Sequence, residues 1–266
     1  METHEILTEL LHDKKWKELK ELLDEMNEQD IAELFMELEE RDLTLIYRLL
    51  NKELAAEVFV NMEPEYQEQL IRAFSDSELR EVLDELYVDD AVDLIEEMPS
   101  SLVKRILKHT DPETRKSINE ILKYPEDSAG SIMTIEYVDL KRSMTVADAF
   151  MRIRRTGVDK ETIYTCYVTD SKRKLKGVVT AKDLLLADEN ATIREIMEDN
   201  VISVNTSEDK EVVADLFEKY DLLALPVVDK ENRLVGIITV DDAIDVMQEE
   251  ITEDMELMAA ITPTDK

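Results

Sequence analysis

Cysteine is almost absent from the sequence: Cys166 stands alone among 266 residues. One cysteine can close no disulfide within the chain and can supply no multi-cysteine zinc cluster. It lies in the strand-like run IYTCYVTD and reads as a small buried residue. Histidine is nearly as scarce, and His4, His12 and His109 form no pair at metal-ligating spacing. Four glycines leave little material for a phosphate-cradling loop or a dinucleotide fingerprint, and neither a P-loop nor a nucleophile elbow occurs. No nucleophile, base and oxyanion set can be assembled, so an enzyme is not expected. No apolar run approaches the ~20 residues that cross a bilayer. The N-terminal METHEILTELLHDKK is polar and acidic, unlike a secretory signal. The chain as given is expected to be soluble and intracellular.

Positive charge is also in short supply. Lys and Arg number 32 against 64 Asp and Glu, a formal charge of −32. A nucleic-acid backbone or an anionic membrane surface would be repelled by that field, so no nucleic-acid partner is expected and cations are the natural ones. Scattered surface acids ordinarily do no more than keep a protein soluble. The stretch VDDAIDVMQEEITEDMEL, residues 240–257, is different, with eight carboxylates and no Lys or Arg. Its apolar residues recur at roughly helical spacing. A helix there stacks Asp241 over Asp245, Asp245 over Glu249, Glu249 over Glu253, and Glu250 over Asp254. Each such like-charge pair costs an isolated helix about 0.2–0.5 kcal/mol.

The first half of the chain repeats every twelve residues. Leu22, Leu34, Ile46, Val58, Leu70, Val82, Leu94, Ile106 and Ile118 are all apolar, as are Leu23, Phe35, Tyr47, Phe59, Ile71, Leu83, Ile95 and Leu107. Four places beyond the first series come Met26, Leu38, Leu50, Met62, Phe74, Leu86 and Met98. Apolar sets at i, i+1 and i+4 on this period describe short amphipathic helices that must stack on one another to bury their stripes. The fold class expected is therefore multidomain, with an all-α superhelical repeat domain first. The pattern stops at YPEDSAGSIMT, residues 124–134, where Pro125 and Gly130 mark a boundary. Beyond it β-branched residues rise and YVTDSKRKLKGVVTAKDLL (167–185) matches PVVDKENRLVGIITVDDAI (226–244) at a constant offset. Each copy reads as strand, helix, strand, tight turn, strand, helix, with Met133 and Met197 opening the two and extra residues in the first near Gly157.

The doubled hhVhDxxxxLxGhhTxxDhh pattern resembles the CBS domain, an α/β module that pairs in tandem and often binds adenine nucleotides. YPEDSAGSIMT, between an acidic helical array and that pair, is similar to the cytosolic region of MgtE-type magnesium transporters. The resemblance implies an N-terminal superhelical domain over 1–128, CBS domains over 129–196 and 197–250, and the start of a connecting region over 251–266. It further implies a homodimer through the CBS domains, a C-terminal transmembrane domain beyond this chain, a place on the cytoplasmic side of the cell membrane, and Mg²⁺ both as transported ion and as the regulatory ligand that closes the pore. Position by position it points to Glu57, Asp89 and Asp93 in the N domain. In the CBS pair it points to Asp209, Glu211, Asp221, Asp242 and Asp245, and toward the connecting region to Glu250, Glu253 and Asp254. The backbone carbonyls of Ser131 and Glu218 are further candidate ligands, Ser131 standing where the family has glycine.

Oxygen-only donors suit Mg²⁺, which takes an octahedron of oxygens and keeps several waters. Asp89 and Asp93, four apart on one helix, can turn both carboxylates to one ion. Thr180 with Asp183, and Thr239 with Asp242, occupy positions where CBS domains hold ribose or phosphate, so ATP is a second possible ligand. Where some relatives offer adenine an aromatic ring, this chain has Thr165 and Leu222. The alternative function is a soluble adenine-nucleotide sensor carrying a helical interaction scaffold.

Overall fold

The structure is a computed structural model that describes residues 2–258, apart from the side chains of residues 2–4, 159, 254, 256 and 257. Ten helices come first: α1 Glu2–His12, α2 Trp16–Asp24, α3 Glu28–Met36, α4 Glu40–Tyr47, α5 Lys52–Val60, α6 Pro64–Ala73, α7 Asp76–Leu83, α8 Val88–Glu97, α9 Ser100–His109 and α10 Pro112–Ile121. From α2 onward each helix consumes one twelve-residue period. The repeating apolar positions are the ones buried: Leu23, Phe35, Ile46, Val58, Phe59, Leu70, Ile71 and Ile106 are at most 1% exposed.

Helix starts keep the same period. Asn27, Glu39, Asn51, Glu63, Ser75 and Pro99 each stand just before a helix. Asn27 accepts from the Gln29 amide, Asn51 from the Leu54 amide, and Asp111 from the Glu113 and Thr114 amides. Ser75 and Glu78 close a reciprocal capping box, which satisfies amides that a helix start otherwise leaves open. Alternate helices pack together, α3 on α5, α5 on α7 and α7 on α9, with α4 on α6.

The second half contains two copies of one module. The first has β1 Asp139–Lys141, α11 Val146–Thr156, β2 Thr165–Thr169, β3 Leu175–Thr180 and α12 Ala181–Leu186. After α13 Ile193–Ile196, the second has β4 Val204–Asn205, α14 Lys210–Tyr220, β5 Ala224–Val228, β6 Leu234–Thr239 and α15 Val240–Met258. The sheets have orders β1-β2-β3 and β4-β5-β6, each with a parallel first pair and an antiparallel second. The copies match in detail. A bulge falls at Val168/Thr169 and again at Val227/Val228, and Arg173 and Asn232 both take the left-handed turn at φ 62° and 63°. The extra residues near Gly157 form a 3₁₀ turn, Gly157–Asp159.

Two of the four glycines are required by this doubling. A Cβ on Gly177 would lie 2.8 Å from the Glu198 carbonyl oxygen, and one on Gly236 would lie 2.7 Å from that of Thr134. Met197 and Met133, the residues that open the copies, touch the same glycines. Tyr167, Leu175, Ala224, Val228, Leu234 and Ile237 form the core shared by the two modules, while Cys166 is buried in the core of the first, with burial pushing its thiol up to about 12.

By compactness the chain forms two units, one from the chain up to Leu86 with Asp90–Lys116, the other from Tyr87–Asp89 and the chain from Ser117 onward. Helix α15 is continuous from Val240 to Met258, so the expected boundary at 250/251 falls within one unbroken helix.

Candidate metal centre

The acids expected on the CBS side gather along the antiparallel pair α14 and α15. The pairing direction is fixed at both ends. Val240 N donates to the Leu223 carbonyl at 3.1 Å, and Lys210 Nζ lies 3.3 Å from Glu249 Oε2. The N-terminus of α14 is tied to the segment before the first module by a bridge between Ser128 and Asp209, by Ala129 N to the Glu208 carbonyl at 2.7 Å, and by Lys210 N to the Asp127 carbonyl at 3.1 Å.

At that end Asp209, Glu211, Glu250 and Glu253 share one field, with Asp127 joining them. The Glu211 carboxyl titrates above its ordinary range, first because of partial desolvation and then because Glu250, Asp209, Glu253 and Asp127 repel its charge. Lys210 is the counter-ion on the spot, 3.3 Å from Glu249 and 3.6 Å from Asp127. Partial burial works against its charge, but Glu249 and then Asp127 hold the ammonium above its ordinary value. Glu249 is thus an ion-pair partner. The side chain of Asp254 lies outside the described residues.

At the other end Asp221 and the first turn of α15, which carries Asp242, meet through the Leu223–Val240 bond. Asp221 caps α14 in the left-handed conformation, φ 49° and ψ 47°. The Leu222 amide, which a continuing helix would give to the Glu218 carbonyl, donates instead to Phe217 O. Asp242 accepts from the Thr239 amide and hydroxyl at 3.1 and 2.6 Å, and Asp245 is exposed one turn on. Asp209 likewise caps α14 by accepting from the Glu211 amide at 3.0 Å. Asp209, Asp221 and Asp242 therefore have local helix-end work beside any ligand role. Ser131 is buried and keeps an ordinary backbone, its hydroxyl donating to the Glu126 and Ser128 carbonyls at 2.5 and 2.8 Å.

In the helical half Glu57 is exposed on α5, and Asp89 and Asp93 lie one turn apart on α8, the first buried and the second exposed. His109 is buried and pairs with Asp76 at 3.4 Å. Among the described residues no group of three acidic, histidine or cysteine side chains comes together as a ready metal cage.

The two threonine–aspartate pairs are capping devices in the structure. Thr180 donates its amide and hydroxyl to Asp183 at 2.9 and 2.6 Å, and the Asp183 amide returns to Thr180 Oγ1 at 3.2 Å. The spacing TxxD, read from sequence as a ribose or phosphate site, is equally the spacing of a helix N-cap. Lys210 and Asp127 were not singled out from sequence: the bridge of Ser128 to Asp209 brings Asp127 to the start of α14, and the packing of α14 against α15 brings Glu249 to Lys210.

Comparison with known proteins agrees with this architecture. The family model described as the MgtE intracellular N domain matches residues 26–127, and the CBS domain model matches 129–190 and 193–249. The magnesium transporter MgtE of Thermus thermophilus is 40% identical over 224 residues, 83% of this chain and 50% of its own. That of Bacillus subtilis is 34% identical over 199 residues, 75% of this chain and 44% of its own. This chain thus spans about half the length of either relative. Among solved structures, the cytosolic domain of the Mg²⁺ channel MgtE in complex with ATP is 40% identical with a TM-score of 0.85, covering 90% of this chain and 98% of that one. The soluble part of a magnesium transporter is 33% identical with a TM-score of 0.87, covering 94% and 98%. The chain belongs to the MgtE family and corresponds to its cytosolic region, an MgtE N domain followed by a tandem pair of CBS domains.

Proposed function

We propose that the chain is the Mg²⁺-sensing regulatory region of a magnesium transporter, on the cytoplasmic side of the membrane and linked to a C-terminal transmembrane domain. The observation that carries the reading is the crowding of Asp209, Glu211, Glu250 and Glu253 at one end of the α14–α15 pair, with Asp127 beside them. Such crowding is unfavourable by itself: two unit charges 4 Å apart repel by ~1–4 kcal/mol across the dielectric range of a protein surface. Bound there, a divalent cation supplies the neutralising charge. The donors are all oxygens, which fits Mg²⁺, an ion that keeps several of its waters.

Glu250 and Glu253, with Asp254 after them, are the proposed ligands toward the connecting region. Asp209, Glu211, Asp221, Asp242, Asp245 and the carbonyls of Ser131 and Glu218 serve the CBS side, and Glu57, Asp89 and Asp93 the N domain. The carboxylates among them repel one another without the ion, so ion binding favours the compact, closed state. Several weak sites together can supply the ~5.5 kcal/mol that swings a two-state equilibrium from 1:99 to 99:1. The proposed partner is a second copy of the chain, supported by Met151, Leu185 and Leu186 on the first module, which are 61%, 72% and 77% exposed.

Calorimetric titration with MgCl₂, paired with limited proteolysis, tests the reading. Millimolar Mg²⁺ should bind and protect the chain, and the triple variant E211Q/E250Q/E253Q should lose most of both effects. Absence of protection in the unmodified chain would overturn the proposal.

A second reading, adenine-nucleotide binding, is favoured by the ATP complex of the 40%-identical relative. Thr180, Asp183 and Thr239 are its candidate contacts, although both hydroxyls are already committed to carboxylates. Calorimetry with ATP and AMP in Mg²⁺-free buffer separates this reading from the first, since it requires binding without the cation.

A further inference from the structure

In a chain of charge −32, residues 140–182 hold eleven Lys and Arg against four Asp and Glu. This island of positive charge coincides with the first CBS module. Several of its side chains converge on a cleft of about 400 Å³ beside β1 and α11, lined among others by Tyr137, Asp139, Arg152, Lys160, Thr169 and Arg173.

The cleft is a different place from the Thr180–Asp183 cap. Strand β2 pairs Thr165 with Thr180 at one end and Thr169 with Leu175 at the other. At ~3.3 Å per residue the two ends are roughly 13 Å apart.

Its cations are held in position. Arg152 gives Nε to the Asp139 carbonyl at 2.6 Å and pairs through Nη2 with the Asp139 carboxylate. Arg173 gives Nη2 to the Tyr137 hydroxyl at 3.1 Å and to the Leu234 carbonyl at 3.2 Å. Each guanidinium has five N–H donors, so these bonds fix its plane without exhausting it. Lys141 donates to Thr169 Oγ1 at 2.6 Å, which occupies the hydroxyl as acceptor and leaves its proton to offer. Arginines fixed in this way bind an anion without first giving up side-chain freedom.

The fold does not require this set of charges. The second module repeats the same strands, bulge and left-handed turn, yet in place of Asp139, Arg152, Thr169 and Arg173 it has Ser203, Leu216, Val228 and Asn232. The basic set is therefore particular to the first copy.

We propose that the cleft is a binding site for a small phosphate-bearing anion, held by Arg152, Arg173 and Lys160 with the Thr169 hydroxyl as neutral donor. Three cations against the one carboxylate of Asp139 leave two positive charges in the lining, which favour a multiply charged phosphate or pyrophosphate. Guanidinium forks match the oxygens of phosphate. At physiological salt the screening length is ≈ 8 Å, so acids elsewhere on the molecule do little to repel a ligand lodged here.

The test is a calorimetric titration of the whole chain with inorganic pyrophosphate, in EDTA-containing buffer so that no divalent cation takes part. Separate arms use inorganic phosphate and ATP, to tell free phosphate from a nucleotide. Saturable binding of pyrophosphate is expected, weakened at least tenfold by K160E and by R173N. The second variant installs the residue that the second copy carries in the same turn, so its folding is safeguarded. D183N should leave the affinity unchanged. No saturable binding, or binding lost in D183N and kept in K160E and R173N, would overturn the proposal. ATP binding lost in both K160E and R173N would assign the cleft to a nucleotide's phosphates; retained ATP binding with pyrophosphate binding lost would assign it to free phosphate.

Discussion

Asp221 holds a carboxylate where local energetics ask for something else. Its left-handed backbone, φ 49°, suits glycine better than any branched residue, and a negative charge at a helix C-terminus opposes the helix dipole. Replacing Asp221 with Gly should therefore raise unfolding stability in metal-free buffer by about 1 kcal/mol while weakening the response to Mg²⁺; denaturant titration with and without the ion reads both. Lys210 makes the converse case. Exchanging it for Met removes the cation between Glu249 and Asp127, which should lower metal-free stability by about 0.5–1 kcal/mol. The same change should enlarge the stabilisation that Mg²⁺ gives, because the acids lose their internal competitor. Glu78 illustrates pH. Arg48, then the Ser75 amide, hold its carboxyl at about 2, below the ordinary glutamate value of about 4.3. A depressed folded value contributes stability that is present above the ordinary value and is lost as pH falls through about 2. The melting temperature of E78Q should consequently lie below that of the unmodified chain at neutral pH, with the gap closing as pH approaches 2.

At the scale of elements, the glycines on β3 and β6 carry more than their small number suggests. Gly236→Ala drives a methyl toward the Thr134 carbonyl, 2.7 Å from the ideal Cβ position, where backbone cannot move aside cheaply. A loss of about 2 kcal/mol or more is expected, whereas a methyl at Gly157 meets side chains and no backbone, Ile163 Cγ2 at 2.9 Å and Ile153 Cγ2 at 3.5 Å, and Gly157→Ala should cost less; thermal denaturation compares them. The helical period and the doubled module were legible in the sequence because both are local patterns. Val58 and Phe59 announce a buried stripe, and Leu175 and Leu234 announce equivalent strands. The capping role of Thr180 and Thr239 was not distinguishable from a ligand role in the sequence, because TxxD serves a helix start as readily as a ligand. In α15 the period was legible but not its burial. Ala243 and Val246 are buried, whereas Ile244, Ile251 and Met255 are 45%, 55% and 64% exposed. The Lys210–Glu249 pair was illegible, since its partners are 39 residues apart and meet only when α14 folds against α15.

For the molecule as a whole, charge is distributed unevenly in a way its total conceals. The acidic excess includes the crowded carboxylates of α14 and α15, while the first CBS module carries the basic island. Divalent ions and phosphate-bearing anions would thus act at different places, and salt should weaken both effects in proportion to their exposure. In the proposed mechanism the acids around Glu211 convert Mg²⁺ binding into compaction. Small-angle scattering during a MgCl₂ titration at constant ionic strength measures that most directly. A saturable fall in the radius of gyration is expected over millimolar Mg²⁺, absent with KCl alone and largely abolished in E211Q/E250Q/E253Q. An unchanged radius, or an equal fall in the triple variant, would contradict that mechanism.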